Sequence, residues 1–316
     1  MRSPFWRVPR KPTERHGTHT CLIVNPAAGR GRARRKLPRI RDVFAREGIT
    51  DIRSTSGPGD EEALALSAMV DGATTLVAVG GDGTVSRVAN AIMQNLSSCR
   101  LALIPVGTGN DFAKTLGVLS LDYESIAHLA AGQSVARMDV GKVDDLYFIN
   151  GVGFGIDPAV LADTLNVKLL KGNAVYIVTA LKKLFSYRGI RVRSLRAHPG
   201  FPEGRMMMLT VSNGRYFGGA FRIAPEASVC DGLFDVHSFV DTGAARRARV
   251  FFSVLRGKHA GLAEVTFQRE SSLTLLFDEQ PQMEVDGELR SARSAEVFIQ
   301  CLPGALSVAA APGFPP

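Results

Sequence analysis

The spacing of hydrophobic positions divides this chain into two textures. From Cys21 to about residue 132, short apolar runs alternate with segments whose apolar residues recur every three or four positions. Cys21–Val24 reads as a first strand. Leu37, Ile40, Val43 and Phe44 follow at helical spacing and stop at Gly48. Pro38 inside that stripe predicts a late start or a kink. Ile49–Thr55 is a second short strand, then a Ser56-Gly57-Pro58-Gly59 loop, with Asp60 placed to cap the next helix. Leu76–Val79 is the third strand, and Val85, Val88, Ala89 and Ile92 share one face of a helix over 85–96. Leu101–Ile104 and a helical stretch around Ser125–Ala131 complete this part. Such alternation predicts a mostly parallel sheet whose strand C-termini line one crevice.

From about Ala136 short β-type runs dominate: Arg137–Val143, Leu146–Ile149, Ile190–Ala197, Met206–Val211, Leu233–Phe239, Glu264–Gln268, Leu273–Phe277 and Ala295–Cys301. Two helical inserts interrupt them, near Asn173–Tyr187 and Thr242–Lys258. The pattern predicts an α/β domain over 19–141 and an antiparallel β-sandwich over 142–301. The segment 302–316, with a strand at Leu306–Ala310, is expected to return to the first domain. Residues 1–18, basic and with three prolines, read as a disordered tail. The tail lacks the apolar core of a secretory signal, and no run of 18 apolar residues predicts a membrane span.

The chemistry concentrates where strands end. Gly80-Gly81-Asp82-Gly83-Thr84-Val85-Ser86 joins an apolar strand to a helix. Glycines let the backbone approach an anion, and a helix N-terminus presents unpaired N–H groups and a positive dipole end. That is a phosphate site by its physics. A carboxylate there needs a reason, and a metal bridging the phosphates is the usual one, which makes Asp82 a candidate. Asn25-Pro26-Ala27-Ala28-Gly29-Arg30 and Pro105-Val106-Gly107-Thr108-Gly109-Asn110-Asp111 make two more strand-to-helix loops.

Charge narrows the partners. The 316 residues carry a formal net charge of +8. Residues 30–46 hold eight Arg or Lys against the single Asp42. A solvated helix face, nucleotides and an anionic membrane all suit such a patch. No zinc-finger spacing or aromatic–basic pattern supports nucleic acid. The four cysteines, widely spaced and without a C-x-x-C pair, read as reduced core thiols of a cytosolic protein. The six histidines form no spaced cluster.

The ordered set of motifs resembles the diacylglycerol-kinase catalytic family, and within it the soluble bacterial lipid kinases. The three loops above carry the resemblance in the first half. In the second half it rests on Phe148-x-Asn150-x-x-x-x-Gly155-x-Asp157, Phe217-Gly218-Gly219, Pro225 through Asp231-Gly232-x-x-Asp235, Val285-Asp286-Gly287-Glu288 and Pro303-Gly304-Ala305-Leu306. The resemblance implies a nucleotide domain of NAD-kinase/diacylglycerol-kinase type, a β-sandwich lipid domain, and an active site between them. It implies Mg-ATP and transfer of the γ-phosphoryl group to a lipid hydroxyl, diacylglycerol first, with sphingoid and other lipids as alternatives. The enzyme would be cytoplasmic, peripheral at the membrane surface, with a homodimer left open. Asn25, Arg30, Thr55, Gly80–Ser86, Gly107, Thr108 and Asn110 would meet nucleotide. Glu288 would be the general base, with Asp286 sharing a metal or orienting it. If 285–288 were extended, both carboxylates would point the same way; Asp-Gly is also the commonest hairpin turn. Asp231, with backbone carbonyls near Ser228 and Leu233, would hold a second Mg²⁺. The family usually has Asn and Glu where this chain has Ser86 and Arg87; Ser86 can still hydrogen-bond, whereas Arg87 replaces an acid with a base, so a metal or structural role of that acid is not carried over by the resemblance. NAD kinase shares the GGDGT logic, and a catalytically silent nucleotide-binding regulator is the reading from outside enzymes.

Overall fold

Five consecutive buried residues, Thr20–Val24, form β1 at the centre of the first domain. The computed structural model describes residues 19–310 and 314, apart from 133, 165–172, 196–200 and 203. The tail at 1–18 and most of the segment after 310 lie outside the described residues. β1 is followed by α1 (Ala28–Arg46), β2 (Asp51–Ser54), α2 (Asp60–Val70), β3 (Thr75–Gly80), α3 (Asp82–Gln94), β4 (Arg100–Pro105), α4 (Asp111–Thr115) and α5 (Tyr123–Ala131). The strands pair in parallel in the order β4-β3-β1-β2. Helices cover both faces, as two separate apolar cores show: α3 packs with Ile23, Leu76 and Ala78 on one side, α1 and α5 with Leu22, Val77 and Val79 on the other. Gly29, Arg30 and Gly31 all take positive φ, so regular helix in α1 begins late, and Pro38 stays inside it. Asp60 does not cap α2; Gly59 does, at φ 93°. The Asp60 carboxylate instead accepts the N–H groups of Ser56 and Gly57, each at 2.8 Å, and fixes the preceding loop.

The second part contains β5 (Ala136–Val143), β6 (Leu146–Phe148), β7 (Gly151–Gly155), α6 (Ile156–Thr164), α7 (Asn173–Ser186), β8 (Ile190–Ser194), β9 (Arg205–Ser212), β10 (Phe234–Val240), α8 (Ala244–Leu255), β11 (Val265–Glu270), β12 (Ser272–Phe277), β13 (Gln282–Val285), β14 (Glu288–Ser291) and β15 (Glu296–Val308). One layer pairs β6-β5-β15-β12-β8 and the other β14-β13-β7-β9-β10-β11. Phe148, Phe154, Phe234, Leu275, Met283 and Ile299 fill the space between them. This is a β-sandwich. β15 runs antiparallel to β12 and β5, shifts register between Leu302 and Leu306, and reaches β4 in parallel at Val308↔Leu101. One strand thus ties the sandwich to the first sheet.

β7 was invisible to hydrophobic patterning because its sequence is Gly-Val-Gly-Phe-Gly, yet all five residues are buried. A Cβ on Gly151 would lie 2.5 Å from the Phe217 ring, and one on Gly153 would lie 2.2 Å from Asp157. The glycines make room for neighbours and leave the strand intact. Of the four free cysteines, Cys21, Cys99 and Cys301 are buried, whereas Cys230 is exposed, contrary to its expected place in the core.

β10 also buries His237, only 3% exposed, against the rings of Phe239, His259 and Phe267. Burial and the adjacent His259 lower its pKa from 6.5 to about 3. The unfolded chain protonates this imidazole below about 6.5 and the folded chain does not. Stability is therefore full above that pH and falls as pH drops toward 3, by about 1.4 kcal/mol per pH unit. His237→Phe should lower the acid-side slope of stability by close to one proton. Urea titrations at several pH values between those limits measure it, and an unchanged slope would show that other groups carry the acid lability.

Candidate active site

Three loops from the parallel sheet meet at the strand ends. Gly81 and Gly107 pack backbone to backbone: a Cβ on Gly107 would lie 2.3 Å from the Gly81 Cα. The Gly80 carbonyl accepts the N–H groups of Val106 and Gly107 at 2.9 and 3.1 Å. Arg32 donates to the Gly29 and Gly107 carbonyls at 3.1 and 2.5 Å, so the first loop is fastened to the third. Arg30, the phosphate-side candidate of this loop, is exposed at φ 60°. Gly81 is the N-cap of α3 and has no side chain to satisfy the helix's first N–H groups, which leaves that end suited to an anion.

The side chains expected at the phosphates are largely occupied elsewhere. Asn25 donates to Glu61 at 3.0 Å, and Thr84 donates to the same carboxylate at 3.3 Å. Val85 is core. Thr55 and Thr108 remain at the surface of the crevice loops, half-buried and exposed respectively. Asn110 sits in the left-handed region at φ 54°, and its side chain donates to the Gly107 carbonyl at 3.2 Å. Glu61, buried on α2 with one oxygen lacking a partner, had no sequence signal beyond an ordinary acidic first turn.

Asp82 has a structural task. Its carboxylate accepts the N–H groups of Asn110, Asp111 and Phe112 at 2.6, 2.6 and 3.4 Å. It therefore caps α4 from a distant point in the chain. Burial, then the charge of Asp111, push its pKa up to about 6, against the pull of those three N–H groups. Two carboxylates this close favour a cation between or beside them. One or two carboxylates plus phosphate oxygens are the usual Mg²⁺ donors, so the residues fit that ion. Asp111 also accepts the Gly219 N–H at 2.7 Å, and Lys114 donates to Asp111 and to the Gly219 carbonyl at 2.8 and 2.6 Å. The Phe217-Gly218-Gly219 loop of the sandwich is thereby stapled to α4.

The sandwich faces α3 with one hairpin. Val285 pairs with Glu288 across a two-residue turn, Asp286 at φ 48° and Gly287 at φ 88°. Positive φ at both positions is the type I′ geometry. The extended conformation considered for 285–288 does not occur, and the two carboxylates go different ways. Asp286 turns inward and accepts the N–H groups of Ile149, Asn150 and Gly151 and the hydroxyl of Ser86, all at 2.8 to 3.0 Å. With four donors around it, it ties the hairpin to α3 and to the strand end at Ile149–Gly151. Glu288 lies over the start of α3, 3.8 Å from where a Cβ on Gly83 would be. Arg87 donates twice to its Oε1, at 2.9 and 2.7 Å, and Arg290 pairs with Oε2. The departure at 87 thus has a partner: the arginine faces the hairpin carboxylate.

The chain matches known families over most of its length. Residues 19–143 match the family described as "Diacylglycerol kinase catalytic domain", and residues 150–310 the family described as "YegS C-terminal NAD kinase beta sandwich-like domain". The chain belongs to the diacylglycerol-kinase family. It is 29% identical over 269 residues to a diacylglycerol kinase of Bacillus subtilis, covering 84% of this chain and 88% of that one. It is 31% identical over 302 residues to a "Probable lipid kinase YegS-like" protein of Xanthomonas euvesicatoria, covering 92% and 95%. A crystal structure of a diacylglycerol kinase from Bacillus anthracis shares the fold, with a TM-score of 0.72 at 23% identity over 93% of this chain and 97% of that one. The protein is a lipid kinase, a phosphotransferase.

Two further regions of this lipid kinase bear on its chemistry. The Ser228–Leu233 loop lies on the β15 crossover, with Gly232 against Pro303. Buried Asp139 accepts the N–H groups of Gly232 and Gly304 at 2.7 and 2.8 Å, and exposed Asp231 accepts that of Leu233 at 3.1 Å. The Ser228 hydroxyl accepts the Cys230 N–H at 3.3 Å. Among the described residues no three His, Cys, Asp or Glu cluster as metal ligands. Carbonyls and one carboxylate still make a hard oxygen donor set of the kind Mg²⁺ accepts.

The second region is a narrow apolar cavity of about 60 Å³ under α6, α7 and α8. Met207, Phe217, Phe239 and Phe251 line it, and Asp157 and Thr210 are its polar groups. α6 packs on both strands of the hairpin that carries Glu288. Glu284 of β13 is buried there as well; burial, and then Asp157, push its carboxyl well above the ordinary carboxylate range. Scattered apolar residues gave the cavity no linear signature, and Glu284 looks like any strand acid in sequence.

Proposed function

We propose that this kinase transfers the γ-phosphoryl group of Mg-ATP to the hydroxyl of diacylglycerol, giving phosphatidic acid. The observation that carries this reading is the hairpin 282–291, which presents Glu288 to the phosphate loop while its strands pack on α6, whose Ile156, Asp157 and Val160 border the apolar cavity. The nucleotide phosphates lie at the N-terminus of α3, held by backbone N–H groups and the helix dipole. Asp82 and Asp111 would hold Mg²⁺, and that ion would neutralise charge on the transferring group. Glu288 positions the acceptor hydroxyl and takes its proton as the oxygen attacks phosphorus. Arg87, beside Glu288, supplies positive charge at the same spot. The apolar lining of the cavity meets the acyl end of the lipid, and Asp157 and Thr210 face its polar end. A second Mg²⁺ at Asp231, Ser228 and Leu233 would brace the β15 crossover. Supporting the lipid over NAD as acceptor is the apolar lining of the cavity, which offers a dinucleotide little to bind.

Labelled ATP, Mg²⁺ and mixed micelles carrying in turn diacylglycerol, monoacylglycerol, ceramide and sphingosine test this directly. Label should enter phosphatidic acid fastest, and only with a divalent cation present. Preferential labelling of a sphingoid acceptor would replace diacylglycerol. No lipid labelling while nucleotide still binds would defeat the proposed reaction.

A further inference from the structure

The roof of the cavity has an outer face that combines exposed aromatic and basic side chains. Ala180 and Leu184 of α7, with Val250, Phe251 and Val254 of α8, point down into the cavity. On α8 the opposite side carries Arg249, Phe252 and Arg256, spaced i, i+3 and i+7 and therefore one stripe. Phe252 is 48% exposed. On α7, Phe185 is 58% exposed beside exposed Lys182. The carboxylates around this face are already engaged: Asp163 with Lys183, Asp241 with Arg247, and Glu264 with Arg246. Among the described residues, no ion pair engages Arg249, Arg256 or Lys182.

Exposed single aromatics are common on protein surfaces. Two on the roof of an apolar cavity, flanked by unengaged cations, form the combination that holds a helix in a bilayer interface: apolar side chains at the acyl boundary and basic ones at the headgroups. The basic face of α1 lacks the first half of that combination. None of the exposed large hydrophobic residues lies on α1.

We propose that the outer face of α7 and α8 docks on an anionic bilayer. Phe185 and Phe252 enter the interface, while Lys182, Arg249 and Arg256 meet lipid phosphates. The cavity then lies directly beneath the membrane-facing helices, and its lipid arrives from the bilayer without crossing water. That last step rests on the lipid-acceptor reading above; the docking itself does not.

Co-sedimentation of the full chain with phosphatidylcholine vesicles, with and without phosphatidylglycerol, tests the surface. Wild type should bind only the anionic vesicles, and less as salt rises. Each basic residue at such a surface is worth roughly fivefold in partitioning, the equivalent of about 1 kcal/mol. Arg249→Glu with Arg256→Glu should therefore weaken binding at least about 25-fold, and Phe185→Ser with Phe252→Ser should weaken it even at low salt. Arg34→Glu with Arg35→Glu and Arg39→Glu on α1 should change it far less. The docking variants should keep wild-type turnover on a short-chain, monomeric acceptor, which shows that they fold. Should the aromatic pair fail to fold, the exposed arginine pair carries the test. Absence of wild-type binding to anionic vesicles, or loss of binding in the α1 variant with the α8 variant unaffected, would overturn the proposal. Vesicle binding without phosphorylation of any lipid would leave the docking surface standing and remove the acceptor reading.

Discussion

Glu288→Gln should slow phosphoryl transfer about a thousandfold, within the roughly 10²–10⁴ that a positioned general base contributes. The change keeps the size of the side chain and its place at the start of β14 but removes the proton acceptor. It also removes the charge that Arg87 now pairs with through two hydrogen bonds. Arg87 would then be left beside the phosphate loop without its hydrogen-bonded partner, with only the charges of Glu61 and Glu62 still acting on it. Nucleotide affinity should consequently hold or tighten slightly, because an unpaired guanidinium near an anion site is attractive. The split is the diagnostic feature: kcat collapses while nucleotide Kd does not rise. Single-turnover transfer and equilibrium nucleotide binding on the same preparation measure the two. If the Gln variant keeps turnover within tenfold of wild type, Glu288 is not the base. Arg87→Ala is the companion variant. It should raise nucleotide Kd, an effect opposite in sign to that of Glu288→Gln.

Asp286→Ala should be the most destabilising single change at the site. Three buried backbone N–H groups and the Ser86 hydroxyl would lose their acceptor. A buried donor left unmade costs about 1–3 kcal/mol. Relaxation will soften some of the four, so a loss of roughly 4–5 kcal/mol is expected. That is a large part of the about 5–15 kcal/mol that a folded domain has in hand. The left-handed φ of 48° at this position adds to the cost for any residue other than Gly, Asn or Asp. Melting temperature should fall by roughly 6–8 °C for a chain of this size. Asp286→Asn keeps one acceptor oxygen and tolerates the turn, so its loss should be intermediate. Calorimetry beside kinetics separates the two possible roles. A strut loses stability and kcat together as α3 and the Glu288 hairpin come apart. A residue that shares a catalytic metal would lose kcat in the Asn variant with its melting temperature unchanged.

Local chemistry made much of this molecule readable from its sequence. The strand–glycine–helix passages at Asn25, Gly80 and Gly107 are short-range patterns, and each forms the loop expected of it. So are the apolar runs of β1, β3 and β4 and the stripes of α1 and α3, where side-chain period follows directly from backbone geometry. β7 was hidden because its glycines answer to Phe217, Asp157 and Met207 across the sandwich, and nothing nearby in sequence announces those neighbours. The turn at Asp286-Gly287 was visible as a dipeptide. Its consequence, that Asp286 and Glu288 diverge, depends on which strand β13 pairs with.

The residue types of the candidate active site, and the family to which the chain belongs, were therefore legible in the sequence alone, because phosphate loops and acid–glycine turns are built from adjacent residues. What the tertiary structure decided is where each charged group spends its charge. Asp82 caps α4 across 28 residues of chain, Asp286 braces strands some 136 residues away, and Arg87 meets Glu288 at a separation of 201. Partners that distant are selected by packing, and a carboxylate or guanidinium looks the same in sequence whichever partner it finds. The cavity and its aromatic-basic roof belong with these, since a concave apolar surface exists only once separate helices have closed over it.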